Sequence, residues 1–144
     1  MFGLKTYKIK RGRHYSGFRF IPFYKRSSLT AYVCFTDSCR YYTIDNQLKE
    51  QVNKLFGFGA LRHHKRSYRI GWRYNASKDM IDLFEYKYEH GYRTIFKFDS
   101  IRIGQTKKIT VFSRKYIYWG KFLYPYFGGK APAPHDMEIK LLFV

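Results

Sequence analysis

The chain has 144 residues, with 28 Lys and Arg against 10 Asp and Glu, a formal net charge of +18 at pH 7. A hydrophobic fraction of 45% excludes a disordered chain, and a single domain over 1–144 is long enough to bury a core without staples. Self-repulsion of this size opposes folding, so the charge points to an anionic partner: nucleic acid, a nucleotide, an acidic glycan or a membrane surface.

Aromatic residues make up 22% of the chain and favour strands, because their rings fit a pleated, half-buried surface. The first strand is LKTYKIK, with Tyr7 and Ile9 on one face and Lys8 and Lys10 on the other. RGRHYSG breaks the pattern and FRFIPFY resumes it, with Pro22 marking an edge or a bulge. LTAYVCF reads as a buried strand, TDSC as a turn, and RYYTI as the returning hairpin partner. One short helix is expected over 45–56: Asp45 caps it, Leu48, Val52, Leu55 and Phe56 form its stripe, and Gly57 stops it. Strands then dominate. SYRIGWRY and MIDLFEYKYE alternate, His90-Gly91 makes a tight hairpin, and YRTIFKF, SIRIG, KITVFS, YIYWG and MEIKLLFV follow. Turn signals recur roughly every 8–12 residues, the spacing of a sandwich or barrel. The expectation is a mostly β chain: a two-sheet antiparallel β-sandwich of jelly-roll type.

MFGLKTYKIKRGRH has no apolar core of a signal peptide, and no window approaches the roughly 20 apolar residues of a membrane helix. A cytoplasmic protein without membrane insertion is the expectation. Cys34 and Cys39 are then free thiols rather than a disulfide. The histidines show neither an HxH nor an HxxxH pattern, and none stands at finger-like spacing from the cysteines. No metal or cofactor is expected.

Four stretches carry candidate chemistry. Arg62, His63, His64, Lys65 and Arg66 are consecutive, and Arg69 and Arg73 follow on the strand. Arginine offers the planar bidentate donors that phosphate prefers, and neutral histidine adds a hydrogen-bond donor. Trp72, Tyr68 and Tyr74 are rings either for the core or for stacking on a base or sugar, and a regular strand points Arg69 and Arg73 away from them, toward the open face. In YPYFGGKAPAPHDM, Gly128 and Gly129 allow close backbone approach to a ligand, and Tyr126 and His135 flank them as a binding rim. The arm KIKRGRHYSGFRF interleaves Lys8, Lys10, Arg11, Arg13 and Arg19 with His14, Tyr15 and Phe18. That composition suits a phosphate-tracking surface or a charged, protected strand edge. If His63 or His64 meets His135 in space, the three form an acid–base set for a phosphodiester.

HHKRSYRIGWRYN and LYPYFGGKAPAPHDMEIKL resemble motifs of small uncharacterised β-rich proteins. The run GYRTIFKFDSIRIGQTKKITV, followed by a Gly-rich loop before the last strand, is similar to concanavalin-type jelly rolls over Leu61 to Val144. That resemblance implies a jelly-roll fold and polysaccharide handling. No paired-carboxylate motif is present, so no catalytic residue carries over.

The leading expectation is a non-catalytic protein that binds a phosphate-bearing anion: a nucleotide, a cyclic oligonucleotide signal or a short nucleic acid, which it could sequester. The binding residues would be Arg62, His63, His64, Lys65, Arg66, Arg69, Trp72, Arg73, Tyr126 and His135. The alternatives are a carbohydrate-binding module for acidic glycans and a phosphodiesterase or nuclease built on His63, His64 and His135. So many tyrosines on exposed strands are compatible with a homo-oligomer.

Overall fold

The computed structural model describes residues 3–43 and 45–144. The strands are β1 (Lys5–Ile9), β2 (Pro22–Phe35), β3 (Asn53–Ala60), β4 (Ser67–Asn75), β5 (Met80–Glu89), β6 (Tyr92–Arg102), β7 (Thr106–Leu123) and β8 (Met137–Phe143). A 3-10 turn (Asp37–Cys39) and a one-turn helix, α1 (Asn46–Glu50), are interposed after β2. The fold is mostly β and wholly antiparallel, in the order β1-β8-β2-β7-β3-β4-β5-β6.

The ladder runs unbroken through all eight strands, so the two layers are one folded sheet rather than the two expected. The fold-over lies at β7, which pairs β2 through 106–112 and 117–121, and β3 through 120–123. Rings from strands that are not neighbours meet in the interior. Phe35 of β2 lies 5.2 Å from Trp72 of β4, and Phe56 of β3 lies 5.9 Å from Phe143 of β8. The buried faces therefore oppose each other as in a sandwich.

Strict alternation explains β4. Tyr68, Ile70, Trp72 and Tyr74 all point into the core, with Trp72 fully buried. His90 and Gly91 both have positive φ, 53° and 80°, the geometry of a two-residue hairpin turn between β5 and β6.

The expected helix over 45–56 is corrected: α1 ends at Glu50, and 53–60 is β3. Leu55 and Phe56 matched a helical stripe because β3 is buried on both faces, which removes the alternation that marks a half-buried strand. Gly57 lies mid-strand instead of capping a helix. RYYTI forms no strand over 40–43, and Ile44 lies outside the described residues. Tyr41 instead sends its ring into the core against Trp72 and Phe127. Cys34 and Cys39 are free thiols. Burial pushes Cys39 up to about 12, and its Sγ lies 3.4 Å from the Glu138 carbonyl, which accepts its hydrogen bond. Among the described residues no helix is long and apolar enough to cross a membrane.

Candidate functional site

The outward face of β4 carries Arg69 and Gly71, and the register of β3 decides what stands beside them. Gly57 opposes Arg69, and Lys54 opposes Gly71. Between Lys54 and Phe56 the register shifts, so Leu55 is an extra residue on β3. Without that bulge Lys54 would share the core face with Phe56 and Phe58. With it, Lys54 turns to the face of Arg69. Gly57 makes the room: a Cβ there would meet Arg69 Cγ at 2.6 Å and the Tyr68 carbonyl at 2.2 Å. On the other side of β4, Tyr86 of β5 opposes Arg69.

Two buried cations result. Arg69 is 6% exposed, lies 5.2 Å from the Tyr86 ring centroid, and its Nε has no hydrogen-bond partner. Lys54 is also 6% exposed, lies 4.7 Å from the centre of the Tyr86 ring, and donates from Nζ to the Gly128 carbonyl at 2.6 Å. No ion pair among the described residues includes either side chain. Desolvation, with Arg69 and Arg93 next, lowers Lys54 to about 8, and desolvation lowers Arg69 as well. Taking an ion out of water costs on the order of several kcal/mol unless a counter-charge compensates. The aromatic faces supply part of that compensation and no acidic side chain supplies the rest.

These cations open onto a cleft of about 1080 Å³. Arg93 of β6 is at its rim and donates to the Tyr86 hydroxyl at 3.4 Å. Lys121 of β7 and the loop histidines His63 and His64 close one side. Desolvation, then Arg69, Lys121 and His64, depress His63 to about 4, and its ring centroid lies 4.3 Å from that of His64, the planes tilted by 37°. The opposite wall is the loop after β7. Tyr126 and Lys54 exchange backbone hydrogen bonds of 2.8 and 2.9 Å, and Tyr15 of the amino-terminal arm bridges to the far side of Tyr126. His14 ties the arm down, donating from Nδ1 to the Phe127 carbonyl at 2.6 Å. Gly128, at φ 105°, makes the turn, and a Cβ there would meet the Ala131 carbonyl at 2.5 Å. The arm adds Lys8, Lys10, Arg13 and Arg19 with Tyr15 and Phe18. Lys8 is paired with Asp136 at 3.5 Å, and the Arg19 guanidinium lies 5.1 and 4.6 Å from the centroids of the Tyr7 and Tyr124 rings. Among the described residues no Asp or Glu lines the cleft.

Of the residues singled out in the sequence, His63, His64, Arg69, Tyr126 and Gly129 line this cleft together with Lys8, Lys10, Arg13, Tyr15, Phe18 and Arg19 of the arm. The others lie elsewhere. Arg62 and Lys65 are exposed in the loop after β3, outside the cleft lining. Arg66 donates to the Lys115 carbonyl at 3.0 Å, and Arg73 to the Glu50 carbonyl at 3.0 Å. Trp72 is core, packed on Phe35 and Phe127. His135 donates from Nε2 to the Ser38 carbonyl at 2.7 Å and does not line the cleft that holds His63 and His64. Lys54, Tyr86, Tyr88, Arg93 and Lys121 are cleft residues that the sequence reading missed. The FGFG alternation at Phe56–Gly59 was the available signal: apolar rings on one face and bare backbone on the other mean close approach by a neighbour.

No group of three or more His, Cys, Asp or Glu side chains is placed to hold a metal ion among the described residues. No family model, curated protein or solved structure matches the chain.

Proposed function

We propose that the protein binds a phosphate-bearing anion in this cleft and holds it without transforming it. The observation that carries the reading is Arg69. A guanidinium 6% exposed, with an unpartnered Nε and no carboxylate in reach, leaves its counter-charge to be supplied from outside. Phosphate meets an arginine fork and a neighbouring ammonium better than a monovalent carboxylate does. Tyr15, which is exposed, and the half-buried Tyr126 offer ring faces for a base, which favours a nucleotide or a short or cyclic oligonucleotide over inorganic phosphate. The volume suits a ligand larger than one nucleoside monophosphate, since pockets for drug-sized ligands run roughly 300–1,000 Å³.

Binding is favoured over turnover because the three-histidine arrangement lacks its third member: His135 is committed to Ser38. Isothermal titration calorimetry with inorganic phosphate, adenosine monophosphate, a linear dinucleotide, a cyclic dinucleotide and an oligohexuronate tests the reading. The dinucleotides should bind most tightly, and mass spectrometry should recover them intact after prolonged incubation. Tighter binding of the hexuronate than of any phosphate ligand, or recovery of cleaved dinucleotide, overturns it.

A further inference from the structure

A second surface, outside the cleft, has the composition of a single-strand stacking platform. It lies on the ribbon made by the start of β2 and the second half of β7. Tyr24 is 63% exposed, Trp119 70%, Tyr118 53% and Tyr116 48%. Their rings form a continuous row: Tyr24 to Trp119 at 4.9 Å, Tyr24 to Tyr118 at 6.3 Å, Tyr118 to Tyr116 at 6.4 Å. None of the four lines the cleft. Cross-strand pairing explains why Tyr24 touches Trp119, its register partner, but it leaves the outer ring faces in water.

The backbone is shaped to present this row. Lys25 adopts φ 54°, an uncommon conformation for a residue with a side chain, and its ammonium sits 4.8 Å from the Tyr116 ring centroid. Immediately beyond it the register slips: Arg26 opposes Ile117 while Ser28 opposes Phe112. Residues 113–116 bulge out of the ladder and leave Arg114 and Lys115 exposed beside the rings. The side chain of Arg66 braces the bulge from beneath through the Lys115 carbonyl. Neither β2 nor β7 contains an acidic residue.

We infer that this ribbon binds single-stranded nucleic acid. That polymer repeats one aromatic face and one negative charge per unit, and the ribbon offers a row of ring faces with Lys25, Arg114 and Lys115 gathered at its Tyr116 end. An acidic glycan repeats the charge without the aromatic face, so it would leave the rings unused. Paired bases of a duplex likewise withhold their faces.

The chain has only two tryptophans, and Trp72 is fully buried, so Trp119 reports on the platform by its own fluorescence. The full chain is titrated with a short oligothymidylate at low salt. Saturable quenching of Trp119 that weakens as salt rises is expected. Trp119→Ala and Tyr24→Ala, assayed by anisotropy of a labelled oligothymidylate, should each weaken binding about tenfold, the scale of one lost base stack. Dinucleotide binding in the cleft should be unchanged in both variants, while Arg69→Met should keep the oligothymidylate quench. Failure of the cleft reading is thus distinguishable from failure of this one. Absence of quenching, or equal binding of heparin or duplex DNA that neither substitution weakens, overturns the inference.

Discussion

Two arginines, Arg40 beside the 3-10 turn and Arg69 on β4, mark a contrast in how this protein uses its few acids. Near the 3-10 turn, Arg40 donates from Nε to Asp79 at 2.7 Å and from Nη1 to Asp37 at 2.6 Å, and these hydrogen bonds raise its pKa. Tyr74, at the end of β4, donates to the same Asp79 at 2.7 Å. In the cleft, Arg69 is more deeply buried and has no such partner, and desolvation lowers its pKa. Acids elsewhere are likewise matched to structural cations, as with Lys97 on Asp82 and Lys107 on Asp99. Ten acids cannot neutralise 28 cations, but their placement is uneven: they hold structure together and are missing where the buried charge is most costly. A buried charge left unpaired in a cleft is where an external anion gains most.

The largest effect should follow Arg69→Met. Loss of a buried, charge-assisted contact is worth roughly 2–5 kcal/mol, so dinucleotide affinity should fall about a hundredfold by calorimetry. The free variant should melt several degrees higher, because an uncompensated buried charge is gone. Unchanged affinity with a lower melting temperature would mean that Arg69 is structural, as Arg40 is.

Gly57→Ala comes next. The added Cβ collides with the Tyr68 carbonyl and with Arg69 Cγ. Overpacking of this kind costs about 1–3 kcal/mol in chemical denaturation, and the displaced Arg69 should weaken binding as well. Full stability and affinity would show that Arg69 does not need the bare backbone at Gly57.

Acid sharpens the contrast more gently. His63 titrates near 4 in the folded protein instead of its ordinary 6.5. Between those values the unfolded chain binds a proton that the folded chain does not, so His63 makes the free protein less stable as pH falls through that window. A bound anion favours the protonated ring and reverses the sign: affinity should rise as pH falls from 6.5 to 4. A gain of up to about tenfold, one pKa unit's worth, is expected because the ring is only half-buried and solvent screens it. Calorimetry against pH should show this rise in the wild type and a flatter profile in His63→Ala.

Arg40→Met is the smallest change. Its partners are exposed, so the melting temperature should drop by a few degrees at most, with dinucleotide affinity unaltered. A loss of affinity there would erase the distinction between the two arginines.

How much of this was legible beforehand differs by residue. The alternation in SYRIGWRY placed Tyr68, Ile70 and Trp72 on one face and Arg69 on the other, and β4 has that arrangement. The composition of the basic arm suits a phosphate surface or a strand edge alike, and four of its cations line the cleft. Lys54 was not legible. Its stretch mimicked a helix because both faces of β3 are covered, and its direction depends on one extra residue at Leu55. Nor could the sequence separate Arg69 from Arg73, which share a strand face. Arg73 reaches the Glu50 carbonyl and lies over the Phe84 ring, while Arg69 turns under Tyr86.

The sequence by itself determined the strand-rich class, the hairpin at His90-Gly91, and an excess of cations beyond what its acids can pair. These follow from side-chain period, turn chemistry and charge count, all local or additive properties. Only the tertiary structure decided which cations are buried together without a carboxylate. That depends on a bulge, on the register of β3 against β4, and on the fold-over of one sheet at β7. Each is a pairing between segments far apart in the chain, and strand register is set by the partner as much as by the strand itself.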